Sequence, residues 1–158
     1  MNAAGQRKAV ITGVCGQDGA YLAQFLLAKG YEVSGTSRNA ETVDRSNLSR
    51  LGIQDRIQIC SLDLLDGDAV GQHLEASAYD EVYHLAGESS VGQSYSQPRA
   101  VIQGALNSTL NILESGRRLM PATRYFFAGS SECFGDTHGE PADELTPFRP
   151  QSPYAIAK

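Results

Sequence analysis

The chain has no long apolar run, few cysteines and no excess of basic charge. No segment approaches the roughly 20 consecutive apolar residues that a membrane helix requires, so no membrane-spanning role is expected. Met1 to Lys8 lacks the apolar stretch of a secretory signal, which makes a cytoplasmic location the expectation. Its 13 Lys and Arg are outnumbered by 18 Asp and Glu, the reverse of the basic footprint of a general nucleic-acid binder. Cys15, Cys60 and Cys133 are odd in number and far apart, so neither a disulfide framework nor a zinc spacing is read from them. His73, His84 and His138 form no ligand pattern, and no metal is expected. What remains is a chain of 158 residues, enough for one domain with its own core.

Short β-prone runs alternate with amphipathic stretches, the pattern of βαβ units around a parallel sheet. Lys8–Thr12 reads as the first strand. A glycine-bearing turn follows, then a helix over Ala20–Lys29 on which Leu22, Phe25, Leu26 and Lys29 recur at helical spacing, with Gly30 as its stop. Tyr31–Thr36 reads as the second strand and Ser46–Leu51 as a short helix. Arg56–Leu62 alternates apolar and polar residues as a third strand. Asp66 is placed to cap a helix running through Ala76. Glu81–Ala86 is the fourth strand. Pro98 then opens the longest helix, with Ile102, Ala105, Leu106, Thr109, Ile112 and Leu113 as its apolar stripe. Arg124–Ala128 is the fifth strand, and a Pro-rich, acidic loop over 135–153 leads to the first helical turn of Tyr154–Lys158. Five such units predict an α/β fold, a doubly wound Rossmann-type parallel sheet in strand order 3-2-1-4-5. Ligands in such sheets bind beyond the carboxyl ends of the strands, where the order reverses between strands 1 and 4.

The turn after the first strand reads Gly13-Val14-Cys15-Gly16-Gln17-Asp18-Gly19. A strand before it and a helix after it make it a candidate seat for a dinucleotide pyrophosphate, held by backbone N–H groups and the helix N-terminus. About 20 residues further on, NAD enzymes carry an acid for the ribose hydroxyls. Here Arg38 follows Thr36 and Ser37. An arginine there can pair with a 2′-phosphate, which favours NADP over NAD; the alternative is a solvated surface charge. Asp63, after the third strand, is a candidate for the adenine amino group or for a cap.

Tyr154 and Lys158 stand four apart and share a helix face. A neighbouring ammonium favours the phenolate, so the pair suits removal of a proton from a sugar hydroxyl, and the lysine can also hold the cofactor ribose. With these residues in view, the chain resembles the extended short-chain dehydrogenase/reductases that act on nucleotide sugars, and among them the GDP-mannose 4,6-dehydratase family. The stretches that carry the likeness are Ile11–Gly19, Tyr83–Val91, Gly129–Gly135 and Pro147–Tyr154.

The resemblance implies a catalytic set of Ser130, Glu132, Tyr154 and Lys158. Tyr154 and Ser130 would serve oxidation at C4 of the mannose. Glu132 would take the C5 proton and assist loss of the C6 hydroxyl, which requires a carboxyl pKa near neutrality. Hydride would then return to C6 and leave NADP unchanged. Cofactor contacts are implied for Gly13 to Asp18, for Asp63 with Leu64, and for Leu85, Ala86, Gly87, Glu88 and Ser89. GDP-mannose is the implied substrate and a homo-oligomer the implied assembly of the full-length protein. Members of the family continue well past the catalytic lysine, so residues 1–158 read as a dinucleotide-binding part without its substrate domain, inactive alone. Departures are Asn39 and Ala100 where the family has an arginine and a tyrosine, Ser130 for threonine, and Glu88 in the loop after strand 4. A related NADP-dependent reductase or epimerase, or a non-catalytic NADP-binding module, are the competing expectations.

Overall fold

A computed structural model describes residues 5–158, so that Met1–Ala4 of the segment read for a signal lie outside the described residues. Five parallel strands form one sheet: β1 (Lys8–Thr12), β2 (Glu32–Ser37), β3 (Gln58–Ser61), β4 (Glu81–His84) and β5 (Arg124–Phe127). Their order is β3-β2-β1-β4-β5, as the sequence predicts. The connecting helices are α1 (Gln17–Ala28), α2 (Ser46–Arg50), α3 (Gly67–Ser77), α4 (Val91–Ser96), α5 (Pro98–Leu119) and α6 (Pro153–Ala157). Short 3₁₀ turns lie at Gln54–Arg56 and Ser131–Phe134.

The central strand explains why both faces are covered. Ala9 and Ile11 of β1 face one layer, with Ala20, Ala23, Leu26 and Leu27 of α1 and with Leu48 of α2. Val10, pointing the other way, joins Val70 and Leu74 of α3, Val82 of β4 and Ile112 of α5. A strand buried on both sides has no polar alternation to show, and Ala9, Val10 and Ile11 are fully buried. The register pairs Thr12 with Thr36 on one side and with His84 on the other, so the carboxyl ends of β2, β1 and β4 finish level.

Local details differ from the sequence reading in three places. α4, polar and six residues long, has no apolar periodicity to betray it. The buried face of α5 is Val101, Ser108, Ile112 and Gly116, while Leu106 and Leu113 of the expected stripe are exposed. The face turned because two of its members are not apolar in pattern: Ser108 bonds His84 and Gly116 lies under the Tyr125 ring. In α1, likewise, Phe25 is exposed and Ala20 and Ala23 are buried.

Candidate active site

At the end of β1 the chain turns through Gly13, whose φ is +75°. A Cβ there would lie 3.0 Å from the Cα and the N of Ala86. Only glycine lets the turns after β1 and β4 approach this closely. The turn is closed by Gly16 N–H donating to the Gly13 carbonyl (3.0 Å). At Gly19, a Cβ would sit 2.8 Å from Val14 Cα and against the Gly13 carbonyl oxygen, so α1 begins pressed onto the turn.

The start of α1 differs from the other long helix that opens at a strand end. Gly16 is its N-cap and supplies no side-chain bond, whereas Asp66 caps α3 through the N–H groups of Asp68 and Ala69. Gly16, Gln17 and Asp18 are exposed. First-turn N–H groups without a cap, at the positive end of a helix dipole, fit an anionic group such as a pyrophosphate. Val14 and Cys15 are the inner side of the same turn. Val14 is fully buried over Gly35, so only its backbone faces the turn, and the Cys15 carbonyl accepts a bond from Asn47 Nδ2 (2.9 Å).

Below the meeting of the two turns runs a buried polar thread. Ala86 N–H donates to Thr12 Oγ1 (3.2 Å), Thr12 Oγ1 lies 2.7 Å from His84 Nδ1, and His84 Nε2 lies 3.2 Å from Ser108 Oγ. Ser108 in turn donates to the Ala105 carbonyl (3.2 Å). One assignment satisfies every group: Nε2–H donates to Ser108, and Thr12 O–H donates to a bare Nδ1. Burial, with the Lys158 charge nearby, holds His84 down at about 4, so the ring is neutral. Sequence reasoning gave these residues no role. The available signal was Thr12 and His84 standing at matched, inward positions of two adjoining strands.

The loop after β4 carries Leu85, Ala86, Gly87, Glu88 and Ser89. The Glu88 carboxylate is turned back on the chain and accepts the N–H groups of Ser89 (3.0 Å) and Ser90 (2.9 Å). Ser90 caps α4 by accepting Gln93 N–H (3.1 Å). After β2, Arg38 is exposed and makes no side-chain hydrogen bond or ion pair among the described residues. Asp63 is exposed and accepts Leu65 N–H (3.0 Å) as a turn residue, and Leu64, half-buried, packs against the core.

At the carboxyl end of β5 Lys158 and Tyr154 stand together, while Glu132 lies on a cavity whose lining includes neither of them nor Ser130. Ser130 Oγ accepts Glu132 N–H (3.3 Å) and opens the 3₁₀ turn. That turn is tied to α6, where Cys133 Sγ donates to the Ala155 carbonyl (3.7 Å). Ser152 caps α6 through Ala155 N–H (3.0 Å). Lys158 Nζ donates to the Ala128 carbonyl (2.8 Å) and stands 5.9 Å from the centre of the Tyr154 ring and 5.2 Å from that of Phe127. Burial lowers the Lys158 ammonium below its ordinary range. Glu132 is exposed and borders an open cavity of about 480 Å³ shared with Phe134, Asp136, Thr137 and Gln151. Its carboxylate has no partner among the described residues. Lys158 and Tyr154 therefore meet beside the β5 end, with Ser130 two residues beyond the lysine's carbonyl anchor.

Among the described residues no three His, Cys, Asp or Glu side chains cluster as metal ligands, and no helix is long and apolar enough to cross a membrane.

Comparison with known proteins shows the family and the fold. A family model described as GDP-mannose 4,6 dehydratase matches residues 10–158. A GDP-mannose 4,6-dehydratase of Vibrio cholerae is 39% identical over 160 residues, covering 97% of this chain and 43% of the relative. GDP-mannose 4,6 dehydratase 2 of Arabidopsis thaliana is 37% identical over 164 residues, covering 95% and 43%. The chain thus spans under half the length of these curated relatives. Among solved structures, a Thermus thermophilus UDP-glucose 4-epimerase in complex with NAD superposes with a TM-score of 0.83 at 30% identity, covering 96% of this chain and 47% of that one. A dTDP-glucose 4,6-dehydratase of Streptomyces venezuelae with NAD bound shares the fold, with a TM-score of 0.81 at 22% identity, covering 94% and 47%. The chain belongs to the GDP-mannose 4,6-dehydratase family.

Proposed function

We propose that this chain is the dinucleotide-binding and catalytic-turn portion of a nucleotide-sugar 4,6-dehydratase that uses NADP and acts on GDP-mannose. The observation that carries the reading is the junction at the end of β5, where Lys158 is anchored on Ala128 beside Tyr154 and the Ser130–Glu132 turn follows at once. The open start of α1 and the Gly13–Ala86 approach would hold the pyrophosphate, and Arg38 the 2′-phosphate. When bound, the nicotinamide supplies a reversible acceptor for the hydrogen leaving C4 of the sugar.

The remaining work falls to the side chains. Tyr154, with the Lys158 ammonium near its ring, takes the 4-hydroxyl proton, and Ser130 orients that hydroxyl. Oxidation at C4 acidifies the C5 proton. Glu132, free of internal partners among the described residues and bordering an open cavity, removes that proton and delivers one to the departing 6-hydroxyl as water. The neutral thread through His84 keeps the floor beneath Lys158 uncharged.

An epimerase or reductase has no water to eliminate, so Glu132 separates the readings. The full-length enzyme given GDP-mannose and NADP⁺ is expected to yield a 4-keto-6-deoxy sugar without net NADPH. Glu132→Gln should lower turnover by at least about 100-fold, the general acid–base range, while NADP affinity stays within twofold. Normal turnover by that variant would remove the dehydratase assignment.

A further inference from the structure

The segment between β2 and α2 is folded on itself. Ser37 Oγ donates to the Asn39 carbonyl (3.3 Å), and Asn39 Oδ1 accepts the N–H groups of Glu41 (2.9 Å) and Thr42 (3.2 Å). Ala40 N–H donates to Ser61 Oγ at the end of β3 (2.9 Å). Arg45, half-buried, closes the loop with Nη2 donating to the Ala40 carbonyl (2.7 Å). That bond uses one of the five N–H donors of the guanidinium, and no carboxylate is paired with it among the described residues. Two residues on, Asn47 binds the Cys15 carbonyl, which sets the start of α2 against the glycine turn. The charge of Arg45 is felt there. Burial raises the Cys15 thiol while Arg45 acts to lower it and Asp44 to raise it.

Two arginines therefore bracket one organised loop beside the open end of α1. Arg38 stands exposed at its head, and Arg45 stands fixed at its base. The acids nearby are engaged or unanchored. Asp44 accepts Ser46 N–H (2.8 Å) and Ser46 Oγ–H (3.0 Å), Asp63 accepts Leu65 N–H, and Glu41 has no side-chain bond holding it over the loop. A ribose diol asks for a carboxylate acceptor. A phosphate monoester, nearly dianionic with three acceptor oxygens, asks for forked cations.

We infer that Arg45 and Arg38 form a two-guanidinium seat for the adenosine 2′-phosphate, and that Arg45 is a residue that sets the preference for NADP over NAD. The inference rests on the cofactor reading above and adds to it a residue that the order of the sequence does not single out. Arg45 is held in place before the ligand arrives, so less side-chain entropy is lost on binding than at Arg38.

The test is calorimetric titration of the chain with NADP and with NAD, repeated for Arg45→Gln and Arg38→Gln. Glutamine at 45 keeps an amide donor for the Ala40 carbonyl while removing the charge, and urea unfolding checks that each variant is folded. The chain is expected to bind NADP at least about tenfold more tightly than NAD, from one charge-assisted bond or more. Arg45→Gln should reduce NADP affinity about tenfold and leave NAD affinity within twofold, with a shallower salt dependence. Equal loss for both dinucleotides would make Arg45 a strut for the loop and overturn the inference, as would an unchanged ratio. A chain that itself prefers NAD would overturn the cofactor reading, a result separable from failure at Arg45 alone.

Discussion

The two ends of the same sheet handle buried polarity in opposite ways. At the amino end of β4, Glu81 is buried and its carboxylate accepts bonds from Tyr83 (2.6 Å), Tyr31 (3.2 Å) and the Arg124 guanidinium. At the carboxyl end, three residues along the same strand, His84 is as deeply buried but is served only by the neutral hydroxyls of Thr12 and Ser108. One end requires a charge, and the other requires its absence. Beyond the His84 layer three polar features have no internal side-chain partner among the described residues: the start of α1, the Arg38 guanidinium and the Glu132 carboxylate are exposed. Saturated groups fix the sheet, and unsaturated ones mark the side to which a ligand comes.

Acid should break the two ends in separate windows, and the larger effect belongs to His84. Its folded pKa of about 4 lies below the ordinary 6.5, so the unfolded chain binds the extra proton between these values. Stability is complete above pH 6.5 and is lost as pH falls toward 4, at about 1.4 kcal/mol per unit and about 3 kcal/mol in all. Urea unfolding from pH 7.5 to 4.5 should show this slope. His84→Asn, whose amide oxygen can take the place of Nδ1 toward Thr12 without a titrating group, should flatten it. An equal slope in the variant would mean that the neutral thread is not what restrains the ring.

Glu81 comes next. Burial alone raises its carboxyl, but the bonds from Tyr83, Arg124 and Tyr31 outweigh that, and it lies below its ordinary 4.5. Its contribution is therefore present above pH 4.5 and lost below, under the His84 window. Glu81→Ala should lower stability at pH 7 by about 2 kcal/mol: three bonds to a charged acceptor are lost, and the exposed Arg124 and the tyrosines regain water. NADP affinity should stay within twofold, because the residue lies at the far end of the strand. A large change in affinity would show that the two ends are coupled and the contrast false.

How much of this was legible depends on whether a feature is written along the chain or across it. Strand order, the Gly13–Gly19 turn, the Asp66 cap and the Tyr154–Lys158 pairing are local patterns, and the structure has them where the sequence puts them. The polar thread is not local, since Thr12, His84 and Ser108 come from three elements and look unremarkable in each. For the same reason the face of α5 was misjudged. A hydrophobic stripe has no way to register Ser108, buried by a bond to His84, or Gly116, buried by an aromatic ring. Glu88 reads only as a departure in the loop after strand 4, and that its carboxylate closes its own loop shows only in the fold. Arg45 stands seven residues after Arg38, and only the fold of the intervening loop brings it back to the glycine turn.

The smallest expected effect bears most directly on the contrast between satisfied and open groups. Gly16, the N-cap of α1, has φ −66° and ψ 168°, a conformation open to any residue. A Cβ there would lie 3.2 Å from the Gly13 carbonyl oxygen, so a small shift accommodates it. Gly16→Asp would give α1 the internal cap that Asp66 gives α3. Gly and Asp differ by only a few tenths of a kcal/mol at an N-cap, so unfolding free energy should change by less than about 0.5 kcal/mol. Dinucleotide affinity should nevertheless fall at least about tenfold, or about 1.4 kcal/mol, because the introduced carboxylate takes the N–H groups and the dipole that an anionic ligand would use. Gly16→Ala, with the same Cβ and no charge, should lose less and so isolate bulk from charge. The converse change, Asp66→Ala, should lower stability by about 1 kcal/mol and leave affinity untouched. If Gly16→Asp bound NADP normally, the uncapped start of α1 would be an ordinary helix end. If the two caps respond in opposite senses, α1 lacks the cap that α3 keeps because a ligand takes its place.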